Sequence, residues 1–94
     1  MQEIEKEIEI WKEYKENYNL EARDYLIEKY LDYSFKFITK LHKKYKDIIK
    51  IDTEEIQSIA SFILIKTIDK YDYNKNIDFI KFFNNYAKWL FKLE

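Results

Sequence analysis

The chain has 94 residues with 17 basic and 18 acidic side chains, so we expect one domain with one core and no overall field that attracts nucleic acid or membrane. It contains no glycine, proline or cysteine, which excludes phosphate-binding glycine loops, most all-β folds, disulfides and thiolate metal sites. Its one histidine is too few for a multi-histidine zinc site.

Apolar residues recur at helical spacing in the first half of the chain. They predict a first helix over residues 2–18, with Ile4, Ile8, Trp11 and Tyr14 or Tyr18 on one face. Poor helix formers then mark a break, Asn17 and Asn19. A second helix is predicted over residues 20–46, and its broad apolar stripe comprises Leu26, Ile27, Tyr30, Leu31, Tyr33, Phe37, Ile38, Leu41 and Tyr45. Residues 46–51 are predicted to be a connector.

Two further helices are predicted in the second half. Asp52 is a good N-cap for a third helix over residues 53–71, with core positions Ile56, Ala60, Ile63 and Thr67. Phe62, Leu64 and Ile65 fall off this stripe, which indicates either deep burial or a surface for a partner. After a polar turn, Asp78 can cap a fourth helix over 79–93 with the stripe Phe79, Phe82, Phe83, Tyr86, Leu90 and Leu93. The fold class predicted is all-α, a compact bundle of about four helices in one domain, 1–94.

No pattern in the sequence indicates catalysis. Ser34, Ser58 and Ser61 lack a plausible base and an oxyanion loop, and the first-helix carboxylates have lysines at pairing distance. His42 lies among lysines, and we interpret it as an exposed residue of a basic face. We therefore expect no enzyme activity, no metal and no cofactor. No apolar run is long enough for a membrane span and the acidic N-terminus is unlike a signal peptide, so the cytoplasm is the default location.

Charge varies along the chain more than the total suggests. Residues 1–32 carry ten acidic and five basic side chains, whereas residues 33–50 carry six lysines and one aspartate. Residues 74–94 have a net charge of +2. Solvated helix faces are the simplest interpretation, but the two basic segments would form one patch if the second and fourth helices were neighbours.

The order of residues resembles a known family. Trp11 and Tyr14, followed by the run 22–30 (ARDYLIEKY), are similar to the opening of region 2 of bacterial sigma factors, most closely the flagellar and sporulation type. Residues 51–56 and 64–72 (LIKTIDKYD) resemble that family's next segment, and residues 76–79 with the aromatic helix after them resemble its last. The resemblance covers about residues 10–92 in the family's order and spacing.

This resemblance implies a helical domain that docks on the clamp helices of the largest subunit of core RNA polymerase and contacts the non-template strand of the promoter minus-ten element. Aligned on Phe79, the family's DNA-contacting positions correspond to Lys81, Phe82, Asn85, Tyr86, Trp89 and Lys92. Its polymerase-docking positions correspond to Glu55, Ser58, Ile59, Ser61, Phe62 and Ile65. Nothing in the chain resembles the helix-turn-helix of region 4, so a second sigma subunit supplying it is a possible partner.

Two alternatives belong to other classes. The family's glutamine and acid are replaced here by Ser58 and Ile59, and its paired tryptophans by Asn85 and Tyr86. These departures favour a sigma-derived helical adaptor, of mobile-element or phage type, that binds a protein partner without reading DNA. A plain helical oligomerisation module would instead explain Phe62 and Ile65 by self-association. Trp89 and Phe91 leave the core stripe of the fourth helix, so we expect them either to be exposed for recognition or to pack against sequence outside these 94 residues.

Overall fold

A computed structural model describes residues 2–45 and 52–93, with side chains placed for residues 7–44 and 52–92. Within these residues the chain forms four α-helices, α1 (Gln2–Asn17), α2 (Leu20–Tyr45), α3 (Thr53–Lys70) and α4 (Phe79–Leu93), and a 3₁₀ turn over Tyr73–Lys75 precedes the last of them. The all-α fold class is confirmed. The predicted connector, residues 46–51, lies outside the described residues, as do the side chains of Ile4, Tyr45 and Leu93.

The break between α1 and α2 depends on two consecutive residues. Tyr18 adopts a left-handed backbone conformation with φ 54°, and its N–H donates to the Tyr14 carbonyl at 3.0 Å. This is the left-handed cap that usually ends a helix with glycine. The Asn19 side chain then accepts hydrogen bonds from the N–H groups of Glu21 and Ala22, at 3.0 and 3.3 Å. Asn19 is therefore the N-cap of α2.

The segment from α3 to α4 is also capped by side chains. The predicted N-cap Asp52 accepts from the Glu54 N–H, and Asp72 accepts from the Asn74 N–H at the start of the 3₁₀ turn. Asn76 adopts φ 55°, the left-handed conformation that glycine would otherwise supply. The Asp78 carbonyl accepts from the Phe82 N–H at 3.0 Å, so α4 begins directly after this aspartate.

All four helices contribute to one core. The longest of the four helices is α2, whose 26 residues span about 39 Å, and the molecule measures 43 Å along its longest dimension. Two small residues, Ser34 on α2 and Ala60 on α3, are fully buried where these helices meet. The Ser34 Oγ donates to the Ala60 carbonyl at 2.8 Å, which shows that the two helices approach closely at this point. The buried apolar residues are Trp11, Tyr14, Ala22, Leu26, Ile38, Leu41, Ile56, Ala60, Ile63, Leu64, Ile68, Phe79, Phe83, Ala87 and Phe91.

Three predictions about individual side chains are wrong. His42 is buried, because it continues the four-residue row of Ser34 and Ile38 on the face of α2 that packs inward, whereas the lysines beside it are exposed. Ile8, predicted on the buried face of α1, is exposed; of the two alternatives at the end of that face, Tyr14 is buried and Tyr18 is exposed.

The third error concerns α4. Phe91 is buried rather than exposed, since it belongs to a row in steps of four with Phe79, Phe83 and Ala87. The small side chain of Ala87 hid this row from a search for large apolar residues. Trp89 is exposed, as predicted.

Candidate nucleic-acid interface

Helix α4 has aromatic side chains on two sides. One side is the buried row that ends at Phe91, and the other comprises Phe82, Tyr86 and Trp89, which we call the aromatic row. Steps of four and three residues place these three rings above one another on the helix surface. The helix therefore uses one side for the core and leaves the other accessible.

The rings of the aromatic row stack on each other. The centroids of Phe82 and Tyr86 are 5.5 Å apart with an interplanar angle of 11°, and those of Tyr86 and Trp89 are 5.7 Å apart at 28°. Phe82 and Tyr86 are half-buried, whereas Trp89 is 55% exposed. The row thus ends in a large planar ring that is more than half exposed.

The six positions that the resemblance assigned to DNA all lie on α4. Lys81, Asn85 and Lys92 are exposed, and helical geometry places them in a row beside the aromatic row. The result is a surface with stacked rings along its centre and ammonium and amide groups on its flank. Planar bases and a phosphate backbone are the ligands that such a surface suits.

The turn before α4 extends the aromatic row. The ring of Tyr71 lies 5.6 Å from that of Phe82, and both residues line a small cavity with Lys70, Asp72, Lys75 and Ile77. Burial raises the pKa of Tyr71, and the carboxylates of Asp78 and Glu7 raise it further, so the phenol stays protonated. The sequence pattern predicted Tyr71 at the end of the third helix and Tyr73 in the polar turn, without a contact to the aromatic row; two tyrosines in a three-residue stretch were the available signal.

The second set of predicted positions lies on the outer face of α3. Glu55 and Ser58 are exposed, Ile59, Ser61 and Ile65 are half-buried, and Phe62 is 50% exposed. The Lys66 Nζ lies 5.5 Å from the centre of the Phe62 ring. Leu64, which also fell off the predicted stripe, is instead fully buried. Phe62 and Ile65 therefore remain as the surplus apolar residues of this face.

The basic segments of α2 and α4 are linked by direct contacts. The ring of Tyr30 lies 4.6 Å from that of Phe79, and the ring of Phe37 lies 5.4 Å from that of Phe83, so the two helices run in the same direction along their contact. Tyr33 also donates to Asn84 Oδ1 at 2.7 Å. The C-terminal parts of both helices therefore extend past the same end of this contact. The exposed lysines in these two parts are Lys40, Lys43, Lys44, Lys88 and Lys92.

Within residues 2–45 and 52–93 there is no group of three or more His, Asp or Glu side chains that could hold a metal ion. None of the helices in the same residues has the length and hydropathy that a membrane crossing needs.

Comparisons with models of protein families, with curated proteins and with solved structures give no match to this chain. The class that the fold defines is an all-α four-helix bundle.

Proposed function

We propose that this chain acts as a domain like region 2 of bacterial sigma factors, which binds single-stranded promoter DNA through α4 and core RNA polymerase through α3. The observation that carries the proposal is the stacked row of Phe82, Tyr86 and Trp89 on the side of α4 beside the buried row, with Trp89 more than half exposed. The resemblance in residue order covers about residues 10–92. It is the reason for proposing the non-template strand of the promoter as the nucleic acid and core RNA polymerase as the protein partner.

The row is suited to bases that have left a duplex. A base stacked on an aromatic face is stabilised by about 1–3 kcal/mol, and every base has a planar face, so such contacts tolerate different sequences. Lys81 and Lys92 on the flank of the row would attract the phosphate backbone, and Asn85 offers both a donor and an acceptor to a base edge. Because Phe82 and Tyr86 are already stacked, little ordering of side chains is required on binding.

The outer face of α3 supports the second part of the proposal. An exposed phenylalanine beside half-buried Ile59 and Ile65 is unusual for a helix whose opposite side already fills a core. Large aromatic side chains of this kind anchor protein interfaces when a partner removes them from water. A partner on α3 would leave the aromatic row of α4 available to DNA.

Binding of single-stranded DNA tests the role of the aromatic row. We expect an oligonucleotide of minus-ten composition to bind the purified chain, measured by fluorescence anisotropy at low salt. Trp89→Ala removes one stacking surface and should weaken binding about 5- to 150-fold. The matched control is Tyr25→Ala on α2, which removes an equally exposed aromatic ring away from the row and should leave affinity unchanged. Equal losses in the two variants would contradict the proposal.

A function without DNA is the second candidate, and the exposure of Phe62 favours it. In that case the chain is an adaptor or an oligomerisation module and the α3 face binds a protein. Self-association that Phe62→Ala abolishes, together with no binding of single-stranded DNA, would support this candidate over the first.

A further inference from the structure

The C-terminal parts of α2 and α4 bring several lysines together at the surface. Lys40, Lys43 and Lys44 of α2 and Lys88 of α4 are exposed, and we call these four residues the lysine face. Residues 34–44 and 85–92, which surround them on the two helices, contain no Asp or Glu. The proposed contact of the aromatic row with single-stranded DNA uses none of the four.

A hydrogen bond at the surface holds the two helices beside each other. Tyr33 of α2 donates to Asn84 Oδ1 of α4 at 2.7 Å, and the Tyr33 ring lies 5.7 Å from that of Phe83. Lys40 follows Tyr33 by two turns and therefore lies on the same side of α2, about 10 Å along its axis. Lys88 follows Asn84 by one turn, about 6 Å along α4. Because the helices run in the same direction, both lysines lie beyond the same end of this hydrogen bond.

The lysine face adjoins the aromatic row. Asn84, Lys88 and Lys92 follow one another in steps of four, and each step rotates by about 40° around the helix. This series therefore leads from the contact with α2 towards Trp89, which lies about 60° from Lys92 around α4. Lys92 thus lies between the two surfaces, and one nucleic acid can contact both.

The charge of the lysine face is not neutralised within residues 2–45 and 52–93. Lys36, one turn before Lys40, pairs with Asp32 at 3.1 Å, whereas Lys40, Lys43 and Lys88 make no ion pair there. The C-terminal ends of α2 and α4 contribute about half a negative charge each through their macrodipoles. Four ammonium groups therefore leave an excess of about three positive charges.

The carboxylates at the start of α3 belong to another surface. Asp52, Glu54 and Glu55 are exposed and line a depression on α3 together with Ser58 and Ile59. No lysine of the lysine face lines this depression. The positive and the acidic surfaces are therefore distinct.

The lysine face offers ammonium groups but, among its own residues, no ring on which a base could stack. Leu41 and His42, between its lysines on α2, are buried, and so is Ala87 beside Lys88. The ring of Tyr33 is stacked on that of Phe37, with centroids 6.1 Å apart. Such a surface contacts phosphates without reading bases. Double-stranded DNA presents two phosphate backbones and keeps its bases paired, so it matches the lysine face as unpaired bases match the aromatic row.

We propose that the lysine face binds the phosphate backbone of double-stranded DNA that adjoins the single strand on the aromatic row. The chain then binds the junction between paired and unpaired DNA, with one surface for each form. This inference rests on the proposed function, because the aromatic row supplies the adjoining site for the single strand. Lysines suit this role, since contact with a duplex backbone is electrostatic and independent of sequence.

A gapped duplex tests the proposal. Its single-stranded segment has minus-ten composition and is flanked by duplex on both sides, and the same single strand alone is the reference. We expect the purified chain to bind the gapped duplex about tenfold more tightly than the single strand, measured by fluorescence anisotropy at low salt. Absence of single-strand binding would contradict the proposed function. Single-strand binding without a gain from the duplex would overturn the lysine face alone.

Single lysine variants assign the gain to the lysine face. Lys40→Gln and Lys88→Gln should each lower the slope of log affinity against log salt by about 1 for the gapped duplex and leave that for the single strand unchanged. The matched control is Lys12→Gln on α1, which removes the same charge from an exposed position and should change neither slope. Equal slopes for the three variants would overturn the proposal. Weaker binding of Lys40→Gln to phosphatidylserine vesicles, with unchanged affinity for the gapped duplex, would also overturn it and assign the face to membranes.

Discussion

At the scale of single residues, Tyr18 has a backbone conformation that its side chain makes unfavourable. A residue with a Cβ in the left-handed region is destabilised by about 1–2 kcal/mol, and Tyr18 has φ 54° with 78% of its side chain exposed. We expect Tyr18→Gly to raise the free energy of unfolding by about 1 kcal/mol, measured by urea denaturation. Tyr18→Ala removes the same ring but retains the Cβ. If alanine stabilised the protein as much as glycine, the explanation from backbone conformation would be wrong.

Glu7 makes stability depend on pH. Burial opposes ionisation of its carboxyl, but hydrogen bonds from Lys29, Tyr30 and Trp11 outweigh this effect and hold the pKa of Glu7 below its ordinary value of 4.5. A carboxyl that is more acidic when folded contributes its full stability above the unfolded-state pKa. That contribution is lost as the pH falls below about 4.5 and through the folded-state value.

The substitution Glu7→Gln measures this contribution. At pH 6 we expect it to lower the free energy of unfolding by about 2 kcal/mol, since charge-assisted hydrogen bonds become neutral ones. The difference from the wild type should shrink when urea denaturation is repeated near pH 3. A difference that stayed constant with pH would show that the charge of Glu7 is not involved.

At the scale of elements, the contact between α2 and α3 depends on small residues. Ala60 is fully buried and its carbonyl accepts from Ser34 Oγ at 2.8 Å, so no space remains for a longer side chain. We expect Ala60→Leu to lower the free energy of unfolding by about 1–3 kcal/mol, measured by urea denaturation. Gln57→Leu adds leucine at an exposed position of the same helix and should change stability by less than about 0.5 kcal/mol. Similar effects of the two variants would contradict close packing at Ala60.

The same contact shows what the sequence could and could not predict about the elements. The four helices were predictable, because large apolar residues recur at helical spacing and Asp52 and the asparagines mark the breaks. The burial of Ala60 and Thr67 was predictable from their place in the apolar stripe, but that of Ser34, His42 and Ala87 was not, since these three contribute little or nothing to an apolar pattern. Their burial follows from the partner helix that packs on them, which local spacing does not specify.

The candidate site shows a similar division. The apolar pattern placed Phe82 and Tyr86 in the core stripe of the fourth helix and Trp89 outside it, and only the resemblance assigned all three to one binding surface. Helical geometry is sufficient to bring the three rings together. The contact of Tyr71 with this row depends on the path of the turn over residues 72–78, where Asn76 takes the left-handed conformation. Only the folded chain shows that contact.

At the scale of the whole molecule, charge is distributed unevenly. The acidic excess lies in residues 1–32, whereas the lysines of α2 and α4 lie beyond the same end of the contact between these helices. Such a separation would orient the molecule on a nucleic acid even though its formal net charge is −1. In the proposed function, the lysines of α2 and α4 attract the nucleic acid while the outer face of α3 binds polymerase.

Formation of a ternary complex tests this central proposal most directly. Core RNA polymerase, the purified chain and a fluorescent single strand of minus-ten composition are mixed, and co-migration is followed by size-exclusion chromatography. We expect the wild type to bind polymerase and retain the DNA. Trp89→Ala should bind polymerase but retain less DNA, whereas with Phe62→Ala neither the chain nor the DNA bound to it should elute with polymerase. Absence of polymerase binding by the wild type, or DNA retained equally by all three proteins, would contradict the account.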